Sequence, residues 1–332
     1  MPSPYMQHAK PNIIVIGGGT GTFTVLTGLK KHPVDLSAIV TMSDGGGSTG
    51  ILRDELGVLP PGDLRQCLVA LSDADQELRD LFLYRFSNES LSGHNFGNLF
   101  LSALEKTVGD PLKAIDVAHR ILRVNGRVIP VSSIASNLVA LLKDGTEIIG
   151  EHRIDERIPE RSPIQTCQLR PSVPANPEAV EAIKNADAVV IAPGDLYTSI
   201  VPVLLPEGIA QALASTRATI IYIVNLVTKP GQTDGYTAND HLEALQRHLG
   251  ERMIDVVIMN SAQAAPELRQ RYEAQGEELV QWTGPLSSTR TRVILAPLIA
   301  DDIQEHAPQD RLVRSLIRHD QDKLAHAILM AL

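Results

Sequence analysis

Six short stretches of the chain combine glycine with hydroxyl, amide or charged side chains, the material of an anion or nucleotide site. In the first, residues 17–21 read Gly-Gly-Gly-Thr-Gly between a β-branched run and a helical pattern. Gly18, Gly19 and Gly21 would let the backbone approach a phosphate closely. The helix N-terminus would offer its N–H groups, and Thr20 would add a hydroxyl donor. A tight strand–helix turn with no ligand needs the same glycines. The dinucleotide fingerprint is broken, because Thr22 stands where its third glycine belongs. In the second stretch, residues 41–50, Ser43, Asp44, Gly46, Ser48 and Thr49 follow the next strand. Asp44 could meet a ribose hydroxyl or a metal ion, and Ser48 and Thr49 could donate to phosphate oxygens. A surface loop is the alternative.

The remaining stretches extend the pattern. Asp63 follows Pro60, Pro61 and Gly62 as an N-cap, and Arg65 falls in the first helical turn, where a cation opposes the helix dipole. A nearby anion would remove that conflict; a plain surface arginine is the other reading. His94 could act as an acid–base group or a phosphate donor, and Asn95 reads as a cap before an apolar helix. Gly194, Asp195, Thr198 and Ser199 follow one strongly patterned strand, and Asn225 and Thr228 follow another. Four strand ends therefore carry glycine with hydroxyl or amide residues, all on the carboxyl edge where open α/β sheets bind ligands. That coincidence points to a long ligand with several polar groups, such as a nucleotide sugar. The histidines form no metal-ligand spacing.

The elements that must position these residues are legible as apolar runs. Asn12–Gly17, Ser37–Met42, Ala188–Ala192, Thr219–Val224 and Asp255–Met259 read as buried parallel strands. Helical patterns follow them, for example at Phe23, Leu26 and Leu29 and over His241–Leu249. Alternation of this kind predicts an α/β fold, a Rossmann-like, mainly parallel sheet covered on both faces. Two stretches break the rhythm, a helical insertion at about 63–122 and a β-rich insertion at about 127–170. In the second, Asp144-Gly145 between Leu138–Leu142 and Glu147–Ile149 signals a β-hairpin. Both are read as insertions into one domain spanning 10–332. From Gln309 the chain reads as a helix with Leu312, Leu316, Leu324 and Ile328 on its apolar side, and Trp282 lies in a turn-rich stretch.

Composition excludes several classes. Of 332 residues, 39 are acidic and 30 basic, a net charge of −9, which argues against a nucleic-acid or anionic-membrane binder because both need a basic face. With 43% hydrophobic residues the chain can build a large core. The apolar runs are too short to span a bilayer, so no membrane insertion is expected. Residues 1–10 hold no apolar signal segment. Only Cys67 and Cys167 are present, which fits a reducing compartment, and a cytoplasmic location is expected.

Taken in order, residues 17–21, 44–50, 60–65, 93–99, 193–199 and 225–233 resemble the gluconeogenesis factor family, which is similar to the 2-phospho-L-lactate transferases that make a deazaflavin coenzyme precursor. The resemblance runs from about Asn12 to the C-terminal helix. It implies a Rossmann-like, cytoplasmic, UDP-sugar-binding protein that supports cell shape and growth on gluconeogenic carbon sources, with no firm implication of turnover or of a cofactor. By the same resemblance Thr20 contacts the nucleotide, and Arg318 is a basic residue reaching the same ligand. Gly45 stands where many relatives carry a second acid after Asp44, and Val203 where an asparagine is common. A homo-oligomer and a regulatory protein partner are compatible with this reading. The competing reading is a transferase moving a phosphorylated group to an alcohol, with Mg²⁺ held among Asp44, Asp63 and Asp195. A nicotinamide dehydrogenase ranks third because of the broken fingerprint.

Overall fold

The computed structural model describes residues 10–43, 45, 47–87, 91–156, 158, 161–284, 290–301 and 317–332. Ten strands occur among them: β1 (Asn12–Gly17), β2 (Asp35–Val40), β3 (Arg127–Pro130), β4 (Asn137–Leu142), β5 (Glu147–Ile149), β6 (Ile164–Arg170), β7 (Ala188–Ile191), β8 (Thr219–Ile223), β9 (Val256–Asn260) and β10 (Arg292–Ala296). Seven of them form one parallel sheet in the order β10-β9-β8-β7-β1-β2-β3. The apolar runs are continuous because both sheet faces are buried. Ile13 and Val15 enter one core with Ile221 and Ile223, while Ile14 and Ile16 enter the other with Ile220 and Tyr222.

This order sets β7 and β1 side by side in the middle of the sheet. The chain winds outward from β1 to β2 and β3, then returns to β7 on the other side and winds outward again. Connections that leave in opposite directions open a crevice beyond the carboxyl ends of the two central strands. Helix α1 (Gly19–Leu29) leaves β1 directly. The helical insertion comprises α2 (Gly47–Leu56), α3 (Pro61–Leu71), α4 (Gln76–Leu83), α5 (Phe96–Val108) and α6 (Pro111–Ile121).

Residues 127–130 depart from the sequence reading. That segment pairs parallel with β2 at the rim of the main sheet, so the β-rich insertion proper is the antiparallel sheet β5-β4-β6. Its hairpin turns at Asp144-Gly145, where Gly145 has φ +88° and the Asp144 carboxylate accepts from Thr146 N at 2.9 Å. A short helix, Glu151–Asp155, follows β5. The C-terminal helix spans Gln321–Leu329, with Asp320 accepting from the Asp322 and Lys323 amides as its cap and with Leu324 and Ile328 buried. Leu312 and Leu316 lie outside the described residues. Trp282 is partly buried against the core. No helix among the described residues is long and apolar enough to cross a membrane.

Candidate functional site

The carboxyl ends of β1, β7 and β8 open into a cleft of about 270 Å³. Its first wall is the glycine turn. Gly19 has φ +68°, a left-handed conformation that glycine adopts without cost. A Cβ on Gly21 would stand 1.7 Å from the Pro193 carbonyl oxygen, so the first turn of α1 lies directly on the loop after β7. Thr22, in place of the fingerprint's third glycine, is fully buried and donates its hydroxyl to Gly18 O at 3.2 Å. Its side chain thus fits by bonding back to the turn.

Asp63 is not the cap of α3. That helix begins at Pro61, with Pro60 in the cap position; proline suits the first helical position because the N–H it lacks would be unpaired there anyway. The Asp63 carboxylate instead reaches across to α1 and accepts from Gly19 N at 2.7 Å. One amide of the α1 N-terminus is thereby taken by the protein itself. The amides of Thr20 and Gly21, with the Thr20 hydroxyl beside them, belong to the same turn on the cleft wall.

The loops after β7 and β8 form the second wall. Gly194 N donates to the Asn225 side chain at 2.8 Å, tying the two loops together. Leu196–Ile200 is one turn of π-helix, in which both Ser199 N and Ile200 N reach Asp195 O; such turns recur at functional sites. It places Thr198 and Ser199 on the cleft. Thr228 also lines it, but its hydroxyl accepts from Glu278 N at 2.9 Å and is nearly inaccessible. Arg318 arrives on a short extended segment, where Ala300 N donates to Arg318 O and Asp320 N to Leu298 O.

The structure thus brings twelve of the residues singled out in the sequence to one cleft: Gly18, Gly19, Thr20, Gly21, Asp63, Gly194, Asp195, Thr198, Ser199, Asn225, Thr228 and Arg318. Five others sit apart from its lining. Ser48 Oγ is 3.1 Å from His94 Nδ1, Asn95 accepts from Asn98 N as the cap of α5, and Ser43 is buried against the Thr41 hydroxyl. Arg65 is buried and donates to the Asn98 side chain at 2.8 Å, so its place in a first helical turn is met by an amide oxygen rather than left on the surface. Asp44 and Gly46 lie outside the described residues. Gly45 N donates to the Glu151 carboxylate. Val203 is fully buried in the helix Val201–Leu204, within the core rather than on the cleft.

Sequence reasoning missed a third wall. Helix Glu151–Asp155 of the inserted sheet brings Glu151, His152 and Asp155 over the cleft, and Lys229, Glu277 and His319 complete it. Lys229 lies inside a stretch already singled out, so a cation beside a strand end was the available signal. The inserted helix offered none, being far from the other loops in sequence. Lys229 Nζ lies 2.8 Å from Asp155 and 3.0 Å from Asp195. Burial alone would lower its pKa, but Asp195 and Asp155 more than offset this and raise it. Burial pushes the His319 imidazole down to about 4, against an opposing hydrogen bond with the Val224 backbone. Among the described residues no three His, Cys, Asp or Glu side chains are grouped to hold a metal ion.

Comparison with known proteins places this arrangement among relatives. The family model described as 2-phospho-L-lactate transferase CofD matches residues 13–299. The gluconeogenesis factor of Bacillus subtilis is 38% identical over 96% of this chain and 98% of its own length. That of Halalkalibacterium halodurans is 38% identical over 96% of each. The crystal structure of a UPF0052-family protein from Bacillus halodurans superposes with a TM-score of 0.86 at 37% identity, over 96% of this chain and 99% of that one.

Proposed function

The chain belongs to the gluconeogenesis factor family, within the wider 2-phospho-L-lactate transferase-like group, and from that premise we propose that it binds a nucleotide sugar, a UDP-sugar, in the switch-point cleft. One observation carries the reading: the first turn of α1, Thr198 and Ser199 of the loop after β7, and Arg318 all line one space. A helix N-terminus and a guanidinium suit a diphosphate. Thr198 and Ser199 suit the hydroxyls of ribose and sugar. Lining residues drawn from three strand ends suit a ligand with several polar parts, as a nucleotide sugar has. On this reading the protein acts in the cytoplasm as a sensor of activated sugar, serving cell shape, wall synthesis and growth on gluconeogenic carbon sources.

The test is a melting-temperature screen with UDP-sugars, GDP, NAD and 2-phospholactate, with and without Mg²⁺, followed by calorimetry. UDP-sugars should stabilise the fold, by about 2.7 kcal/mol at a hundred times Kd. Stabilisation by NAD or by GDP with phospholactate, and none by UDP-sugars, would overturn the reading.

The transferase reading keeps one specific support beyond the family model, the Asp63 and Asp195 carboxylates on the same cleft. With Gly45 in place of a second acid, it would rely on Asp44 and these two for any ion. Mg²⁺ can be held by few protein ligands when phosphates and waters supply the rest.

A further inference from the structure

Lys229 occupies an unusual position for the cation of an anion-binding cleft. Its side chain is only 13% exposed, and its ammonium is shared between Asp155, on the inserted helix, and Asp195, on the loop after β7. Gln232 Nε2 adds a bond to the same Asp155 oxygen at 3.1 Å. The Lys229 backbone is fixed independently, since Lys229 N donates to the Thr233 hydroxyl and Thr233 N donates back to Lys229 O, both at 2.8 Å. The side chain is therefore the movable part. Both carboxylate partners are themselves about one-third exposed on the cleft, so either can be solvated if the ammonium leaves it.

A further contact lies on the same inserted helix. Glu151, one turn before Asp155 on the inserted helix, accepts from Gly45 N in the loop after β2. The inserted helix thus spans from the Lys229 pair at one end to the glycine loop after β2 at the other.

Resting on the nucleotide-sugar reading, we propose that Lys229 is a phosphate-recognition residue held in reserve by Asp155 and Asp195, and that an incoming diphosphate draws it from Asp155 and loosens the inserted helix. The chemistry is exchange of one ion pair for another: the carboxylate returns to water as the phosphate takes the ammonium. Competition between Asp155 and phosphate for one cation keeps the cleft selective for ligands that carry enough charge to win. A neutral nucleoside leaves the pair intact and the helix in place.

A double-mutant cycle separates this from a purely structural salt bridge. Calorimetry is run with UDP-sugar, UDP and uridine on the wild type, Lys229→Gln, Asp155→Asn and the double variant, each confirmed as folded by its thermal melt. Lys229→Gln should weaken the two diphosphates about ten- to a hundred-fold, the range of a charged hydrogen bond, while leaving uridine within about twofold. Lys229→Arg should recover part of the loss. Asp155→Asn should tighten the diphosphates, and that gain should vanish in the Lys229→Gln background. A gain that persists there would mean simple relief of repulsion and would overturn the exchange. So would equal losses for uridine and UDP. Hydrogen exchange over residues 151–155 supplies the second readout: diphosphate should speed it in the wild type and leave it unchanged in Lys229→Gln. If the wild type binds no UDP-sugar, the nucleotide-sugar reading fails by itself. The same cycle run with inorganic pyrophosphate then decides the Lys229 exchange separately.

Discussion

Gly21 lies in the first turn of α1, and helix propensity alone predicts that alanine there would stabilise the protein by up to about 1 kcal/mol. The tertiary structure reverses the sign. A Cβ at this position would stand 1.7 Å from the Pro193 carbonyl oxygen and 2.7 Å from its carbon. Both are backbone atoms, so no rotamer change relieves the contact. Because Cβ contacts below 3.0 Å are essentially never tolerated, α1 and the loop after β7 would have to part by about 1.3 Å. Overpacking of this kind costs roughly 1–3 kcal/mol. The same separation pulls on the bond from Gly194 N to Asn225, worth roughly 1 kcal/mol net. Gly21→Ala should therefore lose about 2–4 kcal/mol, read as a lower urea midpoint with an unchanged slope. UDP-sugar affinity should fall with it, because the two walls of the cleft are the parts displaced. Gly19→Ala serves as the comparison: φ is +68° there, but the nearest atom to its Cβ would be Ser199 Oγ at 3.8 Å. It carries backbone strain of roughly 1–2 kcal/mol without the clash. A Gly21→Ala protein with a wild-type or higher midpoint would refute the close approach of α1 to the β7 loop, and with it the cleft as described.

Thr20→Val should weaken UDP-sugar binding roughly ten- to a hundred-fold with little change in stability, since a hydrogen bond to a charged acceptor contributes about 1.5–3 kcal/mol; unchanged calorimetric affinity in the folded variant removes Thr20 from the site. The His319 pKa falls from 6.5 to about 4 on folding, so between those values the unfolded chain binds the extra proton. Its share of stability is therefore complete above pH 6.5 and lost as pH drops toward about 4, with a slope of at most about 1.4 kcal/mol per pH unit. Urea midpoints across that range should show the slope, and His319→Asn should flatten it; equal slopes in both proteins would contradict the buried imidazole. UDP-sugar binding should persist in EDTA, and phospholactate should not be transferred to a deazaflavin alcohol with or without Mg²⁺. Metal-dependent product that Asp44→Asn abolishes would make this protein an enzyme.

Much of the framework was written in local pattern. A strand such as Asn12–Gly17 shows continuous apolar residues because both of its faces are buried, and that burial is a property of parallel sheets which periodicity reports directly. Asp144-Gly145 announced its hairpin because the turn demands a positive φ. Gly19 marked the end of β1 for the same reason, and twelve of the selected residues lie on one cleft because several strand ends share one edge of the sheet. What the local pattern could not contain is which distant group meets which. Asp63 looked like a cap for its own helix, yet its carboxylate bonds Gly19, forty-four positions away. Arg65 suggested a missing anion and found the Asn98 amide. Residues 127–130 looked like part of the inserted sheet and instead extend the main one, because the edge of β2 was open to pair with them. The inserted helix carried no signal for a place over the cleft, and Lys229 none for its two carboxylates. Propensity and periodicity report backbone conformation and burial, which depend on neighbours in sequence. Pairings between loops depend on strand order, and that order exists only once the sheet has assembled.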